Sequence, residues 1–178
     1  MRKIVYYSLL VMALGFFSCE EHPKVVEKKK PRIFPEYSEA LDEIIRSKDG
    51  VIRGVDLNSK ADVITKTETK QPSEVAHDYL YFEYTIDSIT NYSVAYNLQK
   101  DSLDEVEVQI NCNDLDLSSH LFNDLKTYYE KKLPNPTEDK GFVVYNCFEG
   151  QRKPFVVSLT DNSTPNMGII NLVIYKDK

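Results

Sequence analysis

Hydrophobic and polar residues alternate most clearly in the middle of the chain, between residues 80 and 112. Three runs have apolar residues at every second position, and short polar segments join one run to the next. Alternation with a period of two is typical of strands that bury one face and expose the other. We therefore predict an antiparallel meander with strands at residues 80–86, 92–98 and 106–112.

A helical pattern follows the meander, over residues 118–133. Apolar residues recur three or four positions apart, so that they lie along one side of a helix. Asp116 or Ser118 is predicted to cap its first turn, and Pro134 ends it because proline cannot continue a helix. The predicted apolar stripe consists of Leu121, Phe122, Leu125, Tyr128 and Tyr129.

Shorter patterns flank these elements. Before the meander, apolar spacing predicts a helix from Tyr37 to Ile45, a strand at residues 51–57 and a short helix at residues 60–68. The last of three further strands is placed centrally in the sheet because both of its faces are apolar. These C-terminal strands are predicted at residues 142–148, 155–159 and 169–175.

The predicted fold class is α+β. The meander and the C-terminal strands form one antiparallel sheet, with one or two helices packed on one face. Residues 135–141 are predicted to form a loop, and no internal repeat is visible in the sequence.

The N-terminus has the pattern of an export signal. Two basic residues precede an uncharged, mainly apolar stretch from Ile4 to Phe17, and Cys19 follows the small residue Ser18. A membrane-spanning helix needs about 20 apolar residues. The shorter stretch here therefore predicts a cleaved signal peptide, residues 1–18.

The residues Phe16-Phe17-Ser18-Cys19 resemble the lipobox of bacterial lipoproteins, with Phe16 where leucine is usual. In that family the cysteine thiol carries a diacylglyceryl group and the signal is cut just before it. The resemblance implies lipidation of Cys19 and attachment to the cell envelope. An ordinary cleaved signal with an incidental cysteine is the alternative.

Glu20 and Glu21, directly after Cys19, resemble the acidic start of surface-exported lipoproteins of the Bacteroidota. This resemblance implies an outer-membrane location and leaves the periplasmic or surface-exposed side open. Residues 19–35 are predicted to be the lipidated cysteine and a flexible tether, because they combine three prolines with a lysine run and little periodicity. Residues 36–178 are predicted to form a single α+β domain.

The charge of the chain limits its partners. The formal net charge is −6, and removal of the basic signal peptide makes it more negative. Nucleic acids need a basic surface to neutralise their phosphates. We therefore expect no nucleic-acid partner. The lipid on Cys19 is expected to attach the protein to a membrane, and the expected binding partner is a protein or a glycan.

Motifs of catalysis and of metal or cofactor binding are missing from the sequence. His22, His77 and His120 lie far apart and form no metal-type pair. We predict no catalytic activity, no cofactor and no metal, and leave open a hydrolase site assembled around His77 or His120. An oxygen-rich segment after the meander is predicted to form a turn and cap a helix rather than bind calcium; it contains Asn111, Asn113, Asp114 and Asp116.

Two cysteines of the predicted domain, Cys112 and Cys147, lie near strand ends, and such cysteines can pair in an exported protein. A disulfide requires Cα atoms within about 7 Å of each other. A buried free thiol at Cys112 is the alternative.

Tyrosines give the remaining hint of function. Tyr79 and Tyr81 lie on the more polar side of the first meander strand, where they could stack on sugars or anchor a protein. Packing under a loop or helix is the alternative. The function hypothesis is a lipid-anchored envelope binding module without catalytic activity, and the second hypothesis is a structural or assembly accessory of an outer-membrane complex.

Overall fold

The computed structural model describes residues 31–133, 135–139, 142–146 and 154–177. The predicted signal peptide and Cys19 lie outside these residues. The chain from Pro31 to Lys178 forms one compact unit. It begins before residue 36, the predicted domain boundary, because Phe34 is buried in the core and Arg32 Nε lies 2.8 Å from Asp42 Oδ2.

The described strands form one antiparallel sheet of eight. Its order is β1-β2-β3-β4-β8-β7-β6-β5, so β8 lies centrally, as its apolar faces predict. The strands are β1 (Glu74–Val75), β2 (Tyr79–Thr85), β3 (Thr90–Gln99), β4 (Ser102–Cys112), β5 (Thr137–Asp139), β6 (Phe142–Asn146), β7 (Phe155–Asp161) and β8 (Gly168–Lys176).

The strand order is symmetrical about the antiparallel pair β4–β8. Each half of the chain is a four-stranded meander that starts at an edge of the sheet and ends at its centre. The sequence hides this repetition because the helices before the two meanders differ in number and length. The edge strands β1 and β5 were also missed, since they have only 2 and 3 residues and every one of these is exposed.

Three helices accompany the sheet in the described residues: α1 (Glu39–Ile45), α2 (Ala61–Thr67) and α3 (Leu115–Lys132). Their buried side chains join the inward side chains of the strands in one hydrophobic core. The predicted α+β fold, with helices packed on one face of an antiparallel sheet, is confirmed.

The start of α3 differs from the prediction by one turn. Asp114, rather than Asp116 or Ser118, is the N-cap, and its Oδ1 accepts a hydrogen bond from Leu117 N at 3.0 Å. The oxygen-rich segment around it therefore does cap a helix, as predicted. A cap one turn earlier adds Leu115 to the helix, although this residue is 39% exposed.

Residues 51–57 form a turn instead of the predicted strand. Arg53 and Gly54 have φ values of 55° and 80°, in the left-handed region, and Val51 N donates to Val55 O at 2.8 Å. Gly50 is required there, since a Cβ on it would lie 2.5 Å from Val55 O. The apolar pattern correctly indicated burial of this segment but not its backbone conformation.

The other face of the sheet carries the alternate, outward side chains. Within the described residues, none of these side chains belongs to the helix-covered core, and most are exposed or half-buried. Val156 and Ser158 of β7 are buried exceptions. We call this side the open face, and the helix-packed side the covered face.

Candidate binding surface on the open face

A shallow trough follows β3 on the open face, between β2 and β4. In two of its three rows the middle strand contributes a short side chain to the floor, Ala95 or Ser93, while its neighbours contribute longer ones to both walls. The volume enclosed is about 480 Å³. Three rows of cross-strand partners form it: Tyr81–Ala95–Glu107, Glu83–Ser93–Gln109 and Thr85–Asn91–Asn111.

A chain of side-chain amides fixes one end of the trough. Gln109 Nε2 donates to Asn111 Oδ1 at 3.2 Å, and Asn111 Nδ2 donates to Asn91 Oδ1 at 3.2 Å. Each amide group has two donor hydrogens and an oxygen with two lone pairs. These two bonds orient the amides and leave further donors and acceptors on all three for a ligand.

The opposite end is acidic. Asn97 Nδ2 donates to Glu105 Oε1 at 2.9 Å and to Glu107 Oε1 at 2.8 Å, which holds the two carboxylates side by side. Partial burial, and then the neighbouring Glu105, raise the pKa of Glu107. Glu107 therefore favours any contact that supplies a hydrogen-bond donor.

The two tyrosines singled out by the sequence have different positions. Tyr81 lines the trough beside Ala95. Tyr79 lies one row beyond it and donates its O–H to Glu74, which with slight desolvation raises the pKa of Tyr79 to about 12. Both side chains are half-buried on the outward side. The structure therefore places Tyr81 in the candidate site and Tyr79 next to it.

The other residues that line the trough were not predicted from the sequence. The sequence feature that could have identified them is the row of polar residues that alternates with the apolar ones in the second and third meander strands. This row is rich in asparagine, glutamine and glutamate. The sequence identified these positions as outward. It did not show that Ala95 and Ser93 of β3 lie between longer side chains of β2 and β4, because the register between the strands decides which residues are neighbours.

A second polar cluster lies on the covered face of the same strands. Arg53 Nε and Nη2 donate to the two carboxylate oxygens of Glu68 at 2.8 and 2.9 Å. Arg46 Nη1 and the Tyr84 hydroxyl donate to Glu68 Oε2 at 2.6 and 2.7 Å, and the Tyr96 hydroxyl donates to Oε1. The side chains of Arg53 and Glu68 are fully buried.

Arg53 also joins this cluster to α1. Its Nη1 donates to the carbonyl oxygens of Glu43 and Ile44 at 2.9 and 3.0 Å, near the end of the helix. Carbonyls in the last turn of a helix lack intrahelical partners. Arg53 therefore connects the end of α1, the 51–55 turn and Glu68 at the end of α2 to the sheet.

The electrostatics of this cluster show two charges that stabilise each other. Burial alone would raise the pKa of Glu68, but hydrogen bonds and charge from Arg53, with bonds from Tyr96 and Tyr84, lower it to about 2. Burial alone would lower the pKa of Arg53, but Glu68 raises it above its ordinary value. Both carboxylate oxygens are saturated and inaccessible, so the cluster holds the fold together and presents nothing to a ligand.

The remaining sequence candidates do not converge. His77 is exposed beside β2, and His120 is exposed on α3, with Nε2 4.0 Å from Asp124 Oδ2. Among the described residues, no group of three or more histidine, cysteine or acidic side chains is arranged to hold a metal ion.

Cys112 is buried at the end of β4, with Sγ 3.5 Å from Thr90 Oγ1. Cys147 lies outside the described residues, so its pairing with Cys112 stays a prediction.

Comparisons with protein-family models, with curated proteins and with solved structures found no match. None of the helices in the described residues is long and apolar enough to cross a bilayer.

Proposed function

We propose that this chain is a lipid-anchored binding module of the bacterial cell envelope, and that the open face is its interaction surface. The trough along β3 is the observation that supports this proposal best. A stable sheet needs only one buried face, and the covered face already provides a core from both halves of the chain. The outward residues of β2, β3 and β4 are therefore available for recognition.

The anchor in this proposal rests on the signal-like N-terminus and on Cys19 in the lipobox position. A lipid on Cys19 would hold the domain at the envelope, and two or more acyl chains anchor a protein firmly. Binding of a partner by a tethered domain needs no reaction at the site. The trough itself lacks histidine and cysteine in its lining, which suits recognition.

The second hypothesis, an accessory of a larger envelope complex, is favoured by the other half of the open face. Val144, Ile169 and Val173 are half-buried outward residues there, and Phe142 is 44% exposed. Contiguous exposed apolar patches mark protein contact surfaces, and these side chains would contribute apolar area to one. Phe142→Ser is therefore expected to weaken this second mode of association without affecting the trough.

The anchor can be tested with the full-length precursor in a bacterial host that processes lipoproteins. Mass spectrometry should find Cys19 acylated and the leader removed, and Cys19→Ala should leave the membrane fraction. Unmodified Cys19 in the wild-type protein would contradict the anchoring part of the proposal.

The interaction surface can be tested with a pair of variants in one row of the sheet. Ala95→Phe fills the trough, and Thr137→Phe adds the same ring at the exposed β5 edge. We expect Ala95→Phe to reduce recovery of envelope components by the purified lipoprotein at least tenfold, and Thr137→Phe to leave it unchanged. Wild-type recovery by Ala95→Phe, with unaltered thermal unfolding, would exclude the trough.

A further inference from the structure

We propose that the trough binds an uncharged, hydroxyl-rich ligand, namely a short stretch of neutral glycan. This inference rests on the proposed function and specifies the ligand of the same site. It follows from three properties of the trough: the charge of its lining, the balance of donors and acceptors, and its shape.

The charge of the lining disfavours anionic ligands. Glu83 and Glu107 line the two walls, and the lining contains neither lysine nor arginine. A phosphate, sulfate or carboxylate group placed there would meet two carboxylates and no compensating cation. Nucleic acids, anionic lipid headgroups and acidic sugars are therefore poor occupants.

The balance of donors and acceptors favours hydroxyl groups over ammonium groups. On the open face, six neutral polar side chains of the lining outnumber its two carboxylates, and they supply both donors and acceptors; they are Tyr81, Thr85, Asn91, Ser93, Gln109 and Asn111. A basic side chain can only donate hydrogen bonds, so it would leave the amide hydrogens of Asn91, Gln109 and Asn111 without acceptors. A sugar hydroxyl both donates and accepts, and can satisfy an amide and a carboxylate together.

Glu107 offers a sugar hydroxyl an acceptor that is already oriented. Asn97 Nδ2 already donates to Glu107 Oε1 at 2.8 Å and orients the carboxylate, and burial together with Glu105 raises the pKa of Glu107, so a further hydrogen-bond donor stabilises it. A hydroxyl that donates to a carboxylate forms a short, charge-assisted bond, stronger than a bond between neutral groups. Such a bond requires no second charge to be desolvated.

The shape of the trough suits an extended chain of rings. Ala95 and Asn91 mark its ends along β3, about 13 Å apart at 3.3 Å per residue. Ala95 leaves space beside the aromatic side chain of Tyr81, which offers an apolar surface to the C–H face of a sugar ring. A disaccharide or trisaccharide fits this length, whereas a single ring would fill only part of it.

The test uses the purified mature lipoprotein in detergent micelles. Binding is screened on an array of neutral and acidic glycans, together with a lysine- and arginine-rich peptide, and hits are quantified by calorimetry. We expect neutral oligosaccharides to bind, Ala95→Phe and Tyr81→Ala to weaken this binding at least tenfold, and Thr137→Phe to change it less than twofold. Acidic glycans should bind more weakly than their neutral counterparts.

Other outcomes overturn the inference in distinguishable ways. If the basic peptide binds in the trough and no neutral glycan does, the ligand class is wrong and the binding function stands. The same holds if trough-dependent recovery of envelope material persists while the whole glycan array is negative. If Ala95→Phe changes neither glycan binding nor recovery of envelope material, both the inference and the proposed function fail.

Discussion

Polar clusters lie on both sides of β2 and β3, but under opposite conditions. On the covered face, Glu68 is enclosed by Arg53, Arg46 and two tyrosine hydroxyls, and all of its acceptors are used. On the open face, Glu107 lies at the rim of a trough whose amides retain unused donors and acceptors.

Because of this difference, the covered-face cluster stabilises the fold, whereas the open-face residues can bind a ligand. A buried polar group that lacks a partner inside the protein costs stability, because water cannot reach it. An exposed one can exchange water for a ligand. The covered face therefore determines whether the chain folds, and the open face determines what the folded chain can bind, so that variants on the two faces should affect different measurements.

The largest expected effect comes from Glu68→Gln. This change leaves the buried charge of Arg53 without a counter-charge, which costs about 3–5 kcal/mol. The open-face change Glu83→Gln is the matched control and should alter the free energy of unfolding by less than about 0.5 kcal/mol. Urea denaturation measures both, and equal destabilisation by the two variants would contradict the contrast between the faces.

Neighbouring residues of β8 provide a second comparison. Leu172 is fully buried on the covered face, while Val173 is half-buried on the open face. Leu172→Ala should cost about 2–5 kcal/mol through lost burial and a cavity. Val173→Ala should cost less than about 1 kcal/mol, because it leaves no enclosed cavity. A larger loss from Val173→Ala in thermal or urea unfolding would mean that the two faces are assigned the wrong way round.

The pH dependence of the free energy of unfolding should isolate the contribution of Glu68 in the covered cluster. The pKa of Glu68 falls from the ordinary 4.5 to about 2 on folding, so its contribution is fully present above pH 4.5 and is lost as pH falls towards 2. The loss is on the order of 3 kcal/mol. Urea unfolding at a series of pH values should show this decline in the wild type and a flatter profile in Glu68→Gln. Parallel profiles would exclude Glu68 as the source.

The smallest expected effect concerns Glu107 on the open face. Its pKa is raised, so it begins to take up a proton at a higher pH than an ordinary glutamate. A protonated carboxyl is a weaker acceptor, and ligand affinity should therefore fall several-fold as pH drops through this pKa. Glu107→Gln should bind more weakly at neutral pH and lose most of the pH dependence. An unchanged pH dependence in this variant would remove Glu107 from the contact.

The alternation of residues predicted the sheet well because it depends only on local sequence. The meander strands and the long helix each have one apolar face, which predicted that they pack on a core. Both faces of β8 are apolar, which predicted its central position in the sheet. The same signal failed at residues 51–57, where apolar side chains are buried by a turn. There, left-handed backbone at Gly50, Arg53 and Gly54 decides the path of the chain.

The candidate site was only partly predictable. Tyr81 could be selected because an aromatic residue among outward polar residues stands out in the sequence. Arg53 and Glu68 could not be paired, because they are 15 positions apart and meet only when α1 and α2 pack on the sheet. The trough likewise depends on which residue of β3 lies between which residues of β2 and β4.

The most direct test of the open face as interaction surface is photo-crosslinking in intact cells. A benzophenone amino acid replaces Thr85, which is exposed on a trough wall, and in a second strain Ser119, which is exposed on α3. We expect a discrete crosslinked species from position 85 and none from position 119. A species from position 119 alone would contradict the central claim.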